Sequence, residues 1–134
     1  MKKYSIDMVV ESCDKLNNSF ALLKLKAVDS SQFPQEIGPG QFVQIDIPNS
    51  KSTYLRRPIS VNNVEKSEGR LWLLVRNAGS GTDHLVHCKK GDIFNLIMPL
   101  GKCFTPPAEK KSSVLLVGGG VGVAPLLYYG KILS

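Results

Sequence analysis

No apolar run in this chain approaches the ~20 residues needed to cross a bilayer, and cysteine, tryptophan and acidic side chains are all scarce. Three cysteines occur among 134 residues: Cys13, Cys88 and Cys103, odd in number, widely spaced and without a CxxC pair. That pattern argues against a disulfide framework and against a metal site contained within the chain, and it suits a reducing cytoplasm. The start, MKKYSIDMVVESC, has a positive tip, but polar residues interrupt its short apolar stretch, so it does not read as a signal peptide. Acidic residues number 11 against 17 basic ones, a formal charge of +6. The excess raises the question of nucleic acid. Yet lysines are scattered, with short pairs at Lys2–Lys3, Lys89–Lys90 and Lys110–Lys111, and no basic stretch is interleaved with aromatics. The expectation is no nucleic-acid partner and no membrane; a phosphate-bearing ligand would use the same charge.

What is present reads as two unequal parts. Apolar residues make up 43% and charged residues 21%, ordinary for a globular protein. The first hundred residues form short strand-like runs at intervals of roughly ten, punctuated by Gly and Pro, which points to a small antiparallel barrel or sandwich. SFALLKLKAV places Leu23 and Leu25 opposite Lys24 and Lys26, and QFVQIDIP places Val43, Ile45 and Ile47 opposite Phe42, Gln44 and Asp46. Gly38-Pro39-Gly40 is a firm turn signal. TDHLVHCKKGD predicts one helical interlude between Thr82 and Asp92, with Leu85 and Cys88 at helical spacing and Gly91 ending it. After Phe104 the Pro-rich, charged TPPAEKKSS reads as a linker. Then Val114–Val117 predicts a strand buried on both faces, as in a parallel sheet, followed by a glycine cluster and a helix carrying Leu126, Leu127 and Ile132. The expected organisation is therefore residues 1–106 as a barrel and residues 107–134 as the first strand and helix of an incomplete α/β nucleotide-binding domain.

Three segments suggest anion binding. Gly118, Gly119, Gly120 and Gly122 sit between a strand and a helix, where amides at a helix start attract phosphate. The spacing fits G-x-G-x-x-P, with Pro125 expected in the first helical turn, and the plain alternative is tight strand–helix packing. In YLRRPIS, Arg56 and Arg57 stand side by side before Pro58, whose missing N–H is expected to end the ladder. An arginine fork suits a diphosphate, and Ser60 adds a hydroxyl. Arg76, followed by Gly79, Gly81 and Thr82, forms a second candidate phosphate seat. Singly, each reads as a solvated arginine or an ordinary loop; together in one barrel they point to a nucleotide. His84 and His87 lie three apart, but metal sites usually need three or four ligands, and two exposed histidines on a short helix are the expectation.

The ordered motifs RRPIS, LLVRNAGSGT, MPLGKCF and LLVGGGVGVAPLL resemble the ferredoxin-reductase-like flavoproteins, which join an FAD-binding Greek-key barrel to an NAD(P)-binding domain. Within them the resemblance is strongest to the electron-transfer subunits of NAD-linked dihydroorotate dehydrogenases, and it runs roughly from Tyr4 to Leu133. It implies that Arg57 meets the FAD diphosphate, that Pro58, Ile59 and Ser60 complete the R-x-x-S segment, and that Ser60 lies near the flavin ring. Many relatives carry a stacking tyrosine where Ile59 stands. Leu74, Val75 and Arg76 match the next FAD-contacting strand, Gly81 and Thr82 the diphosphate loop, and Gly118 to Pro125 the start of the nicotinamide-nucleotide domain. Cys103 is expected to pack or to approach the flavin. No side chain is required as a catalytic acid or base. The implied activity is electron relay from a dihydroorotate dehydrogenase catalytic subunit, through a [2Fe-2S] cluster whose cysteines match nothing in this chain, to FAD and then NAD+. The rival readings are another reductase, hydrogenase or sulfide dehydrogenase flavin subunit, and a cofactor-free barrel binding module. NADH versus NADPH preference is not legible here. The segment alone is expected to be inactive and to hold FAD weakly or not at all.

Overall fold

The computed structural model describes residues 2–50 and 54–134. Six strands follow in chain order: β1 (Tyr4–Lys15), β2 (Phe20–Ala27), β3 (Phe42–Ile45), β4 (Arg57–Glu65), β5 (Arg70–Arg76) and β6 (Ile93–Leu100). They close into an antiparallel barrel in the order β1-β2-β5-β4-β3-β6, with β6 returning to β1. The β2–β3 and β5–β6 connections skip neighbours, the long returns of a Greek key. Closure gives every strand two neighbours over at least part of its length.

Period-two patterning sets which side chains meet inside. Val10, Leu23, Leu25, Val43, Ile45, Leu71, Leu73, Val75, Leu96 and Met98 are all at most 1% exposed. Each such side chain contributes about 1.5–3 kcal/mol relative to exposure. The lysines of β2 and Gln44 of β3 lie on the outer face, as their alternation predicts. Phe33 and Ile37, from the connection between β2 and β3, add to the same core. The turn signals also act as expected. Gly40 has φ of +95°, and a Cβ there would stand 2.8 Å from the Phe104 backbone nitrogen. The turn can therefore close on PLGKCF only with glycine.

α1 (Ser80–Val86) caps the barrel with Leu85 and Val86 buried. It starts two residues earlier than the sequence suggests and ends well before Gly91. The Thr82 Oγ1 accepts hydrogen bonds from the Ala78 and Gly79 amides at 2.7 and 3.0 Å, which organises the first turn ahead of Thr82. Gly91, with φ of +98°, turns the chain toward β6 instead.

The C-terminal segment departs further from expectation. Val114–Val117 has no strand partner among the described residues, and Leu115 and Val117 are 85% and 79% exposed. A parallel strand exists only through its neighbours' hydrogen bonds, and all six strands here are committed to the barrel. α2 (Leu126–Leu133) forms as predicted, but Pro125 is its N-cap and not a first-turn residue. Its buried face is set by Tyr128; Leu127 and Ile132 remain 42% and 57% exposed.

Candidate functional site: a split in the barrel wall

β4 and β5 pair only over part of their length. Their register runs from Glu65↔Arg70 to Val61↔Leu73 and stops there. Beyond it, Arg57–Ser60 pairs only with β3, and Leu74–Arg76 pairs only with β2. The wall therefore opens between two segments that the sequence singles out for cofactor contact. Pro58 does not end the ladder, because it pairs with Gln44 on the β3 side. Its missing N–H is tolerated where β4 has a single neighbour.

The two adjacent arginines have opposite fates. The Arg56 Nη1 donates to the carbonyls of Gln44 and Asn95 at 3.3 and 3.0 Å, and its Nη2 to the Asn95 Oδ1 at 2.6 Å. The Asn95 amide in turn donates to the Asp7 Oδ1 at 2.9 Å. Arg56 thus fastens β3 and β6 and serves the frame. Arg57 and residues 78–82 line a cleft of about 310 Å³ at the mouth of the split. A Cβ on Gly81 would lie 2.5 Å from the Arg57 Nε, so glycine is what lets the guanidinium lie against the loop.

The remaining candidates fall around this cleft in different ways. Ile59 pairs with the buried Val43 and packs on the core, whereas Pro58 and Ser60 are exposed. Strand alternation puts Arg57 and Ile59 on one face and Pro58 and Ser60 on the other. Leu74 is half-buried on the outer wall, Val75 is fully buried, and only its backbone borders the split. Arg76 is exposed on the rim, one residue before the loop, and does not line the cleft. Thr82 spends its hydroxyl inside the loop, accepting two amides and donating to the Gly79 carbonyl at 3.2 Å. It shapes the seat rather than presenting a free donor.

The glycine cluster lies next to β5. A Cβ on Gly118 would meet the Val123 Cα at 2.8 Å and the Gly122 oxygen at 2.9 Å, so this glycine serves close packing. Gly120 has φ of +57°; around Gly119, Gly120 and Gly122 the space is open. Close packing therefore accounts for Gly118, while Gly119, Gly120 and Gly122 border open space.

Contacts that the sequence did not announce hold this segment to the barrel. The Asn62 Nδ2 donates to the Ala124 carbonyl at 2.7 Å, the Lys131 Nζ to the Asn63 Oδ1 at 3.1 Å, and the Tyr128 hydroxyl to the Ile37 carbonyl at 2.9 Å. Two buried asparagines between Val61 and Val64 are the signal that could have revealed it. Burial, with Cys103 nearby, raises the Tyr128 phenol above its ordinary range. Cys103 itself is exposed beside Gly38. His84 and His87 are both exposed; the His87 Nδ1 lies 2.8 Å from the Asp83 carbonyl oxygen. No cluster of three metal-ligating side chains occurs among the described residues.

Residues 7–104 match the family described as "Oxidoreductase FAD-binding domain". The chain is 39% identical over 101 residues to the dihydroorotate dehydrogenase B (NAD(+)) electron transfer subunit of Lysinibacillus sphaericus, covering 75% of this chain and 39% of that protein. It is 45% identical over 93 residues to the protein of the same name from Caldanaerobacter subterraneus, covering 69% of this chain and 35% of that one. The chain thus spans about two fifths of the length of these relatives. Among solved structures, an NADH-dependent reduced ferredoxin-NADP oxidoreductase superposes with TM-score 0.79 at 30% identity, covering 94% of this chain and 43% of that chain. The cytochrome P450 reductase GcoB of Amycolatopsis superposes with TM-score 0.80 at 25% identity, covering 98% and 39%. A barrel that splits where its arginine meets a glycine loop thus carries the sequence of a flavoprotein module: the chain belongs to the oxidoreductase FAD-binding domain family.

Proposed function

We propose that this chain is the FAD-holding part of the electron-transfer subunit of an NAD-linked dihydroorotate dehydrogenase. The observation that carries the reading is the split between Arg57–Ser60 and Leu74–Arg76, with Arg57 laid against Gly81 at its mouth. A cleft of this kind fits the pyrophosphate of a dinucleotide, because a guanidinium fork donates two parallel hydrogen bonds to phosphate oxygens. Arg57 would hold the diphosphate and Gly81 would keep the approach open, with Thr82 fixing the loop. Ser60 and Leu74 would border the flavin, and Arg76 would add charge at the rim. Bound FAD would supply the redox chemistry, while these residues bind and orient it and tune its surroundings.

Residues 107–134 are read as the opening of an NAD(P)-binding domain, with Gly119, Gly120 and Gly122 facing the nucleotide. The curated relatives' names support a catalytic dihydroorotate dehydrogenase subunit as partner and NAD+ as electron acceptor; a [2Fe-2S] cluster carried outside residues 1–134 belongs to the same proposal. A cytoplasmic site of action and a role in pyrimidine biosynthesis follow from the same reading. The experiment is co-purification with the catalytic dihydroorotate dehydrogenase subunit of the same organism, followed by flavin absorbance. The expected result is a yellow complex. FAD binding without recognition of that subunit would favour the second reading, a ferredoxin-NADP oxidoreductase-like flavin subunit, to which the 30% identical structure gives weight. A full-length subunit that stays colourless and takes up no added FAD would favour a cofactor-free binding barrel.

A further inference from the structure

Two of the three cysteines, far apart in sequence, meet in space. β1 carries a bulge between Val10 and Ser12. The extra residue reverses the alternation, so that Cys13, opposite the buried Leu23, turns inward where a regular strand would place Ser12. The Cys13 Sγ then lies 3.8 and 3.5 Å from the carbonyl oxygens of Leu85 and Val86, the last residues of α1. The Cys88 amide donates to the same Leu85 oxygen at 3.2 Å. Cys13 and Cys88 thus converge on one carbonyl, that of Leu85. Cys13 is half-buried, while Cys88 is buried and borders a hollow of about 600 Å³ shared with Asp83, His84, His87 and Asp92. That hollow lies outside the cofactor cleft, and the partial exposure of Cys13 leaves its sulfur open to a small oxidant.

We propose that Cys13 and Cys88 form a latent disulfide pair, a reversible oxidation site that fastens the end of α1 to β1. With hydrogen peroxide as oxidant, the Cys13 thiolate attacks one peroxide oxygen. The O–O bond breaks, hydroxide leaves and takes up a proton as water, and Cys13 becomes a sulfenic acid. The Cys88 sulfur then attacks the Cys13 sulfur, the S–OH bond breaks, and the thiol proton leaves with the hydroxide as a second water. Two thiols have lost two electrons and two protons, and peroxide has been reduced to two waters. Burial, with Cys13 and Asp92 adding to it, pushes the Cys88 thiol well above the usual range, so the order runs from Cys13 to Cys88. The stored consequence is a covalent link across the cap that carries Gly81 at its other end.

The test uses Cys103→Ser, which removes the exposed third thiol. After peroxide treatment and denaturing alkylation, intact mass should fall by two hydrogens with no alkylated thiol, and peptide mapping should join Cys13 to Cys88. Dithiothreitol should restore both thiols. The apparent Tm of the oxidised form should rise by about 5–10 °C, since the link closes a long loop. In the double variant Cys88→Ser, Cys103→Ser, a dimedone-type probe should trap the sulfenic acid on Cys13. Two alkylatable thiols after oxidation, or only sulfinic and sulfonic products on Cys13, would overturn the proposal.

Discussion

The barrel and the C-terminal segment differ in how completely each satisfies itself. In the barrel, six strands exchange hydrogen bonds around a closed ring, and its apolar faces meet in one core. Residues 105–134 hold one buried tyrosine and one buried alanine, and leave Leu115, Val117 and Ile132 largely exposed. The contact between the two regions joins Tyr128 to the barrel core but is otherwise polar and incomplete. The Asn63 Nδ2 and Trp72 Nε1 are buried there without a hydrogen-bond partner, each an unmet cost of about 1–3 kcal/mol. The Lys131 ammonium lies over the Trp72 ring at 5.1 Å and Lys24 at 4.3 Å, with no carboxylate between them among the ion pairs of the described residues. The lesson is that the barrel completes its own hydrogen bonding, while the glycine turn and α2 are placed by a few directed contacts.

Substitutions should separate the two regions sharply. Leu73→Ala, at the centre of the core, should lower unfolding free energy by about 3 kcal/mol in denaturant titration. Leu115→Ala should change it by less than ~0.5 kcal/mol. Equal effects would mean that the exposed segment is part of the core after all. The adjacent arginines offer a finer contrast. Arg57→Ala should weaken FAD binding by at least ~1.5 kcal/mol, or about tenfold, with little change in Tm. Arg56→Ala should instead lower stability by about 1–3 kcal/mol, because the Asn95 side chain and two carbonyls lose a charged donor. Gly81→Ala should mimic the binding loss of Arg57→Ala, since its methyl meets the flexible guanidinium and displaces it without unfolding the loop.

A smaller effect concerns pH. The Tyr128 phenol is raised in the fold, so its protonated form is favoured. Its contribution to docking α2 is fully present below the unfolded value near 10 and is lost as pH rises through the folded value. Hydrogen exchange of α2 amides should therefore speed up above about pH 10 beyond the intrinsic base dependence. Tyr128→Phe should cost about 1 kcal/mol of that protection and abolish the extra pH dependence.

How much of this was readable from sequence varies with the range of the cause. Alternation in β2 and β3 fixed their faces, because period-two burial is a local property. The ordered motifs located both segments that border the split. The split itself was not visible, since it depends on where the β4–β5 register stops, at Val61 and Leu73. Arg56 and Arg57 look alike in sequence; only the position of Asn95 across the barrel decides that one braces and the other faces the cleft. Val114–Val117 is apolar enough for a buried strand, yet apolar sequence makes a strand only where neighbours accept its hydrogen bonds. The resemblance puts Thr82 in the diphosphate loop but does not show that its hydroxyl is turned into that loop, a choice set by two amides a turn away.

The central claim is that the Arg57–Gly81 cleft seats the pyrophosphate of FAD. It is tested most directly by amide chemical shifts during parallel titrations with FAD and with riboflavin, which lacks phosphate, in the native chain and in Arg57→Ala. The account predicts shifts at Gly79 to Thr82 with FAD alone, and about a tenfold weaker FAD isotherm in the variant. Equal shifts with riboflavin, or an unchanged isotherm in Arg57→Ala, would contradict it.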